Sequence, residues 1–137
     1  MSYQVLDHTA DYMVEVTGGT REELYSEAAR ALFDTLTDIA TIRPQDSVAM
    51  SLEAADPDEL LVAWLSELLF FHESQGFLFS QFRFQLLTER ELRAEARGER
   101  FDPTRHVIDR EIKAVTYHRL GVRHQGGVFK TMIVFDL

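Results

Sequence analysis

The chain has 137 residues, and 45% of them are apolar, which suits one compact domain with a single buried core. It carries 14 basic and 23 acidic side chains, a net charge of -9, which argues against a nucleic-acid binder that relies on clustered Lys and Arg. It has no Cys, so disulfides, thiol nucleophiles, Fe–S clusters and Cys-based zinc sites are excluded.

In chain order, Tyr12 to Thr17 alternates through Val14 and Val16 and predicts a strand that Gly18-Gly19 breaks. Thr20-Arg21-Glu22-Glu23 has capping-box spacing, and Leu24, Ala28, Ala31, Leu32 and Leu36 follow at helical spacing. The first helix is expected at about 21–37. Val48, Met50 and Leu52 alternate with Ala49, Ser51 and Glu53, giving a second strand. Asp56-Pro57-Asp58-Glu59 combines an N-cap, a residue preset for the first turn and acids that suit the helix dipole. Leu61, Trp64, Leu65, Leu68, Leu69 and Phe71 then form a wide apolar face that ends at Gly76, so the second helix is expected at about 57–75.

Beyond Gly76 the period becomes two. Phe82, Phe84 and Leu86 form one strand and Leu92, Ala94 and Ala96 another, joined as a hairpin around Thr88-Glu89-Arg90. Gly98 to Ile108 reads as a loop, and strands are expected at about 110–118, 119–124 and 128–135, with Gln125-Gly126-Gly127 as a hairpin turn. The three Pro, at 44, 57 and 103, all fall between periodic segments, which favours a single domain over 1–137. The expected fold is α+β: a two-layer sandwich with two helices packed on one face of a mostly antiparallel or mixed sheet. No segment approaches the roughly 20 apolar residues of a membrane span, and Met1-Ser2-Tyr3-Gln4 lacks the start of a secretory signal. A cytoplasmic protein without a membrane partner is the expectation.

Charge divides along the chain. Residues 1–77 hold 3 basic and 15 acidic side chains, and residues 78–137 hold 11 basic and 8 acidic. Two acidic helices account for part of this. The other reading is an acidic face that steers the protein towards a basic partner.

Four segments hold residue types that could do chemistry: Asp7-His8-Thr9-Ala10-Asp11, Gly98 to His106, Lys113 to His118, and Phe135-Asp136-Leu137. His8 with His118 invites a zinc reading, but neither HxxxH nor HxH spacing occurs, and ordinary polar histidines are the alternative. Gly18-Gly19-Thr20 before a helix could bind phosphate, although it lacks a Walker Lys and a capped turn explains it. Asp11 and Asp136 each adjoin an apolar strand, where a carboxylate is costly unless solvated, hydrogen-bonded or metal-bound. If the first and last strands are neighbours, these two carboxylates and Leu137 converge as an all-oxygen cluster suited to Ca²⁺ or Mg²⁺; the alternative is that each Asp caps a turn.

Taken together, these segments resemble the archease family. The resemblance rests on Asp7-His8-Thr9-Ala10-Asp11, the Thr20–Asp38 helix with its Leu-Thr-Asp end, and Trp-Leu-x-Glu-Leu-Leu-Phe within Leu60–Phe71. It continues through Ala96-Arg97-Gly98-Glu99-x-Phe101-Asp102-Pro103-x-x-His106, Glu111 to His118, and the closing Val134-Phe135-Asp136-Leu137. It implies a non-catalytic activator of the GTP-dependent tRNA-splicing ligase, which joins 2′,3′-cyclic phosphate or 3′-phosphate RNA ends to 5′-hydroxyl ends. Such an activator promotes guanylylation and multiple turnover of the ligase and meets RNA only indirectly. The resemblance also implies a divalent metal, Ca²⁺ with Mg²⁺ or Mn²⁺ as alternatives, held by Asp11, Asp136 and Leu137, and an activating role for Lys113. Residues 119–127 match nothing sharp. Two other classes remain: a chaperone-like adaptor or binding module without a metal role, and a hydrolase that uses Asp11 and His118. Any direct RNA contact, through Arg93, Arg97, Arg105 and Arg110, is expected to be weak and steeply salt-dependent.

Overall fold

The computed structural model describes residues 2–7, 11–117 and 121–137; for Leu6, Asp7 and Asp11 the description is of the backbone. In chain order the elements are β1 (Ser2–Asp7), β2 (Asp11–Gly18), α1 (Arg21–Leu36), β3 (Asp46–Glu53), α2 (Pro57–Gln75) and β4 (Phe77–Leu87). They continue with β5 (Glu91–Arg100), β6 (Ala114–Tyr117), β7 (Arg123–Gln125) and β8 (Val128–Asp136).

Both helices start where local chemistry places them. Thr20 accepts the Glu23 N–H at 3.1 Å, and the Glu23 carboxylate takes the Gly19 N–H at 3.0 Å, which lowers the Glu23 carboxyl below its usual range. The same bond leaves Gly18-Gly19-Thr20 as a capped turn whose Gly19 donor is already used, in place of a phosphate cradle. Asp56 accepts the Glu59 N–H at 2.9 Å, and Gly76 closes α2 in the left-handed conformation, φ 75°.

Every strand pairing is antiparallel. One sheet runs β1-β2-β8-β6, with β7 also on β8; the other runs β3-β5-β4. α1 packs on β2 and β8 of the first sheet and on β4 of the second, while α2 packs on β6 and on all three strands of the second. The expected α+β class is the one found, and the helices bridge the two sheets. Their shared core centres on Trp64, Tyr25, Phe33 and Phe79, all fully buried. Trp64 meets Phe82 edge-on at 5.8 Å and donates its indole N–H to the Tyr25 carbonyl at 3.1 Å. The Tyr25 hydroxyl donates to the Pro57 carbonyl at 3.0 Å, so the two helices are tied through polar tips as well as packing.

The strands depart from expectation in four places. β1 was not anticipated: Ser2–Asp7 is too short a pattern to stand out, and it exists because it pairs with β2 along its whole length. β5 runs on through Gly98 to Arg100 where a loop was expected, because Gly98 pairs with both Asp46 and Phe79. The strand expected at 110–118 begins only at Ala114, since Arg110 to Lys113 approach it as irregular chain with Ile112 buried. Of the strand expected at 119–124, positions 119 and 120 lie outside the described residues, 121 and 122 are irregular, and β7 begins at Arg123. Gly121 turns the backbone to φ 69° and Val122 donates its N–H to Asp58 at 2.5 Å, so this stretch is tied to the start of α2 before it joins the ladder. Gly126 and Gly127 then form the expected turn, both with positive φ, as a two-residue hairpin loop requires.

Candidate functional site

The strands β2, β8 and β6 end together at one edge of the first sheet. Asp136 is the cross-strand partner of Asp11 on one side and of Ala114 on the other. One row inward lie Tyr12, Phe135 and Val115, of which Phe135 and Val115 are buried. In β8 and β6 this alternation explains the local sequence: a buried apolar anchor holds the strand in the core, and the neighbouring Asp136 or Ala114 is exposed at the rim. Asp136 is exposed, and Leu137 is half-buried with its side chain packed on the core. Lys113 is exposed, just ahead of β6, and its backbone N–H donates to the Asp136 carbonyl at 2.7 Å. Nearby, the Arg110 guanidinium lies over the Tyr12 ring, 4.9 Å from its centroid.

The fold therefore brings the positions of Asp11, Asp136, Leu137 and Lys113 to one rim, although they come from the two halves of the chain. Among the described residues, no three His, Asp or Glu side chains are grouped to hold a metal. The donor types at the rim, carboxylate and backbone or terminal oxygen, suit a hard cation, with the remaining coordination left to water or a partner. His8 and His118, the zinc alternative, lie outside the described residues, and so does the His118 half of the hydrolase reading.

The Gly98 to His106 segment serves a different purpose from the chemistry its residue types suggested. Glu99 is buried on β5 and accepts from the Arg43 N–H at 2.7 Å, from the Arg105 guanidinium and from His106 Nε2 at 3.1 Å. Burial by itself would raise this carboxyl, but the three hydrogen bonds outweigh it and hold the group below the usual carboxylate range. His106 Nδ1 accepts the Asp102 N–H at 2.9 Å, which leaves Nε2 as the protonated nitrogen that faces Glu99. Asp102 takes the Thr104 hydroxyl and N–H, and these bonds lower its carboxyl. The segment is a clamp. From it the chain passes the C-terminal end of α1, where the Thr37 hydroxyl donates to the Val107 carbonyl and the Asp109 backbone N–H donates to the Leu36 carbonyl, and so delivers Lys113 to the rim.

The four arginines expected to share a weak RNA contact do not act as a set. Arg105 is held by Glu99 of β5, the strand that also carries Arg93 and Arg97, whereas Arg110 lies over Tyr12 of the first sheet. The clamp carboxylate Glu99 was not separable in sequence from the polar residues beside it. It falls in phase with Arg93, Glu95 and Arg97, none of them buried, so periodicity gave no signal for its burial.

These features define an α+β domain of two antiparallel sheets joined by two helices, with a carboxylate-bearing rim and a clamped loop behind it. The archease protein family (MTH1598/TM1083) matches residues 3–137. An archease from Methanopyrus kandleri is 42% identical over the full length of both chains, and one from Methanosarcina barkeri is 36% identical, covering 98% of this chain and 95% of its own. The solution structure of protein 1598 from Methanobacterium thermoautotrophicum superimposes with a TM-score of 0.84 at 30% identity, over 98% of each chain. The crystal structure of an archease and possible chaperone from Thermotoga maritima has a TM-score of 0.67 over 96% of this chain and 94% of its own; at 23% identity it bears on the fold alone. The chain belongs to the archease family.

Proposed function

We propose that this protein activates a GTP-dependent RNA ligase of the tRNA-splicing type, promoting its guanylylation and multiple turnover, and that it acts through the rim of Asp11, Asp136, Leu137 and Lys113. It works on a protein partner and does not turn over a substrate alone. The observation that carries this reading is the register of Asp11 directly opposite Asp136. Two like charges at opposed positions destabilise an antiparallel pair, and a bridging cation removes that cost. The donor set fits a divalent ion, Ca²⁺ first and Mg²⁺ or Mn²⁺ as alternatives, held by the two Asp and a Leu137 oxygen. Bound there, the ion supplies positive charge to phosphate oxygens.

The chain's own residues do the rest. Phe135 and Val115 hold the rim rigid from below, and the Glu99 clamp fixes the path that leads to Lys113. The Lys113 ammonium, on a flexible stem and exposed, forms no ion pair among the described residues and can meet a phosphate as a point charge. The acidic residues of positions 1–77 steer the encounter with a basic ligase surface.

A second reading is a chaperone-like adaptor without a metal role; the protein of the same fold from Thermotoga maritima is described as a possible chaperone. The experiment that decides between them measures guanylylation of the ligase with the wild-type protein, Asp11→Ala and Asp136→Ala, matched by circular dichroism. Loss of stimulation in both variants supports the rim. Full stimulation by either removes the metal-rim reading, and no stimulation by the wild type removes the ligase reading altogether.

A further inference from the structure

One groove of this acidic protein is lined by three basic side chains; a smaller one beside β7 and β8 holds two, Arg123 and Lys130. The larger has a volume of about 360 Å³ and opens between α1 and the β4 side of the second sheet. Arg30, Arg83 and Arg97 line it together with Ser26, Ser80 and the half-buried Phe82, and no carboxylate lines it. Three positive charges therefore stand together in a chain of net charge -9. Arg30 and Arg83 are exposed and form no ion pair among the described residues, and Glu95 stands opposite Arg83 in the β4–β5 register. Arg97 lies 3.9 Å from Glu95, a loose surface contact that costs little to exchange.

The local backbone is arranged around the groove. β4 is the edge of its sheet, and its ladder with β5 skips Ser80, pairing Phe79 with Gly98 and then Gln81 with Arg97. Such bulges re-aim the side chains that follow them. Ser26 and Arg30 stand one helical turn apart on the facing side of α1.

We propose that this groove binds the phosphate backbone of single-stranded RNA. The guanidinium fork is matched to phosphate oxygens, and the Ser26 hydroxyl adds a donor of a kind common at phosphates, whereas the Ser80 hydroxyl already donates to the Ile42 carbonyl at 3.3 Å. The groove is open, its charges come from a helix and two strands, and its floor holds an aromatic ring, as suits an extended polyanion more than a small molecule enclosed on most sides. The inference takes its RNA from the ligase reading above and gives that RNA a place on the activator, away from the rim. With three phosphate contacts, binding to a single strand weakens with salt at a slope of about -2 in log K against log salt. Affinity then falls about 60-fold from 25 to 200 mM KCl, which keeps binding weak at physiological salt.

The test is fluorescence anisotropy with a labelled 20-nucleotide oligouridylate and the protein alone, at 25 to 200 mM KCl. The double variant Arg30→Gln with Arg83→Gln keeps one contact, so its slope is expected to fall to about -0.7, a loss of only about fourfold across that range. Arg90→Gln, at the β4–β5 turn and outside both basic grooves, should leave the slope unchanged. Competition with inorganic triphosphate and with a poly-glutamate peptide separates the sources of negative charge. No saturable binding at 25 mM KCl, equal slopes for wild type and double variant, or displacement by either competitor at the same charge concentration as by unlabelled RNA would each overturn the proposal. Because the protein alone is titrated, the salt slope and the guanylylation assay fail independently.

Discussion

Replacing Glu99 by Ala removes the acceptor on which the loop behind the rim converges. The Arg43 N–H, the Arg105 guanidinium and His106 Nε2 all lose their partner in one step. Arg105 is about a quarter exposed and can turn to water, but the His106 side chain is fully buried and cannot. Breaking a buried charge cluster by deleting one partner costs about 3–5 kcal/mol. For a domain of this length that is a fall in Tm of roughly 10–15 °C. Urea unfolding followed by fluorescence of Trp64, the single and fully buried Trp, measures the loss directly. The pH dependence gives a second check. A carboxyl lowered in the folded state contributes stability that is full above its unfolded value of ~4.3 and is lost as pH falls through the folded value. The gap between wild type and Glu99→Ala should therefore be widest near neutral pH and narrow below about pH 4. Glu99→Gln, which keeps the volume and one acceptor oxygen, should recover part of the loss. A cost below about 1 kcal/mol, or a gap that does not change between pH 7 and pH 3, would refute the clamp.

Three further outcomes are expected. Ca²⁺ or Mn²⁺ should raise the Tm of the wild type, by about 2.7 kcal/mol of stabilisation at a hundredfold excess over Kd, and Asp136→Asn should abolish that shift in differential scanning fluorimetry. Gly98→Ala should cost about 1–3 kcal/mol or more in urea midpoint, because an added Cβ would lie 1.9 Å from the Leu78 carbonyl oxygen, a backbone atom that cannot turn aside. Lys113→Ala should leave unfolding within about 0.5 kcal/mol of wild type, since its structural tie is a backbone N–H, while ligase stimulation falls; equal stimulation would remove Lys113 from the mechanism.

The sequence by itself determined the parts of this protein that depend on near neighbours. Both helices and their caps follow from residues three or four apart, as at Thr20 with Glu23 and Asp56 with Glu59. The β4–β5 hairpin closes through Thr88, whose hydroxyl accepts the Arg90 and Glu91 N–H groups. The double glycine at 126–127 dictates its turn. Whole-chain resemblance supplied the family, and it named Asp11, Asp136, Leu137 and Lys113 before any register was visible.

Tertiary structure decided whatever depends on pairing across the chain. β1 is a strand only because β2 lies beside it, and the division into two sheets appears in no local pattern, since a strand carries the same period-two signal in either sheet. The facing of Asp11 and Asp136 is a matter of register, which a single-residue slip would destroy. Glu99 and His106 look in sequence like catalytic groups, and only their burial against Arg43 and Arg105 makes them a clamp. Arg30, Arg83 and Arg97 come from three elements and form no linear motif. Their shared groove exists because α1 packs against β4, and the long-range packing that creates such a surface leaves no periodic trace in the chain.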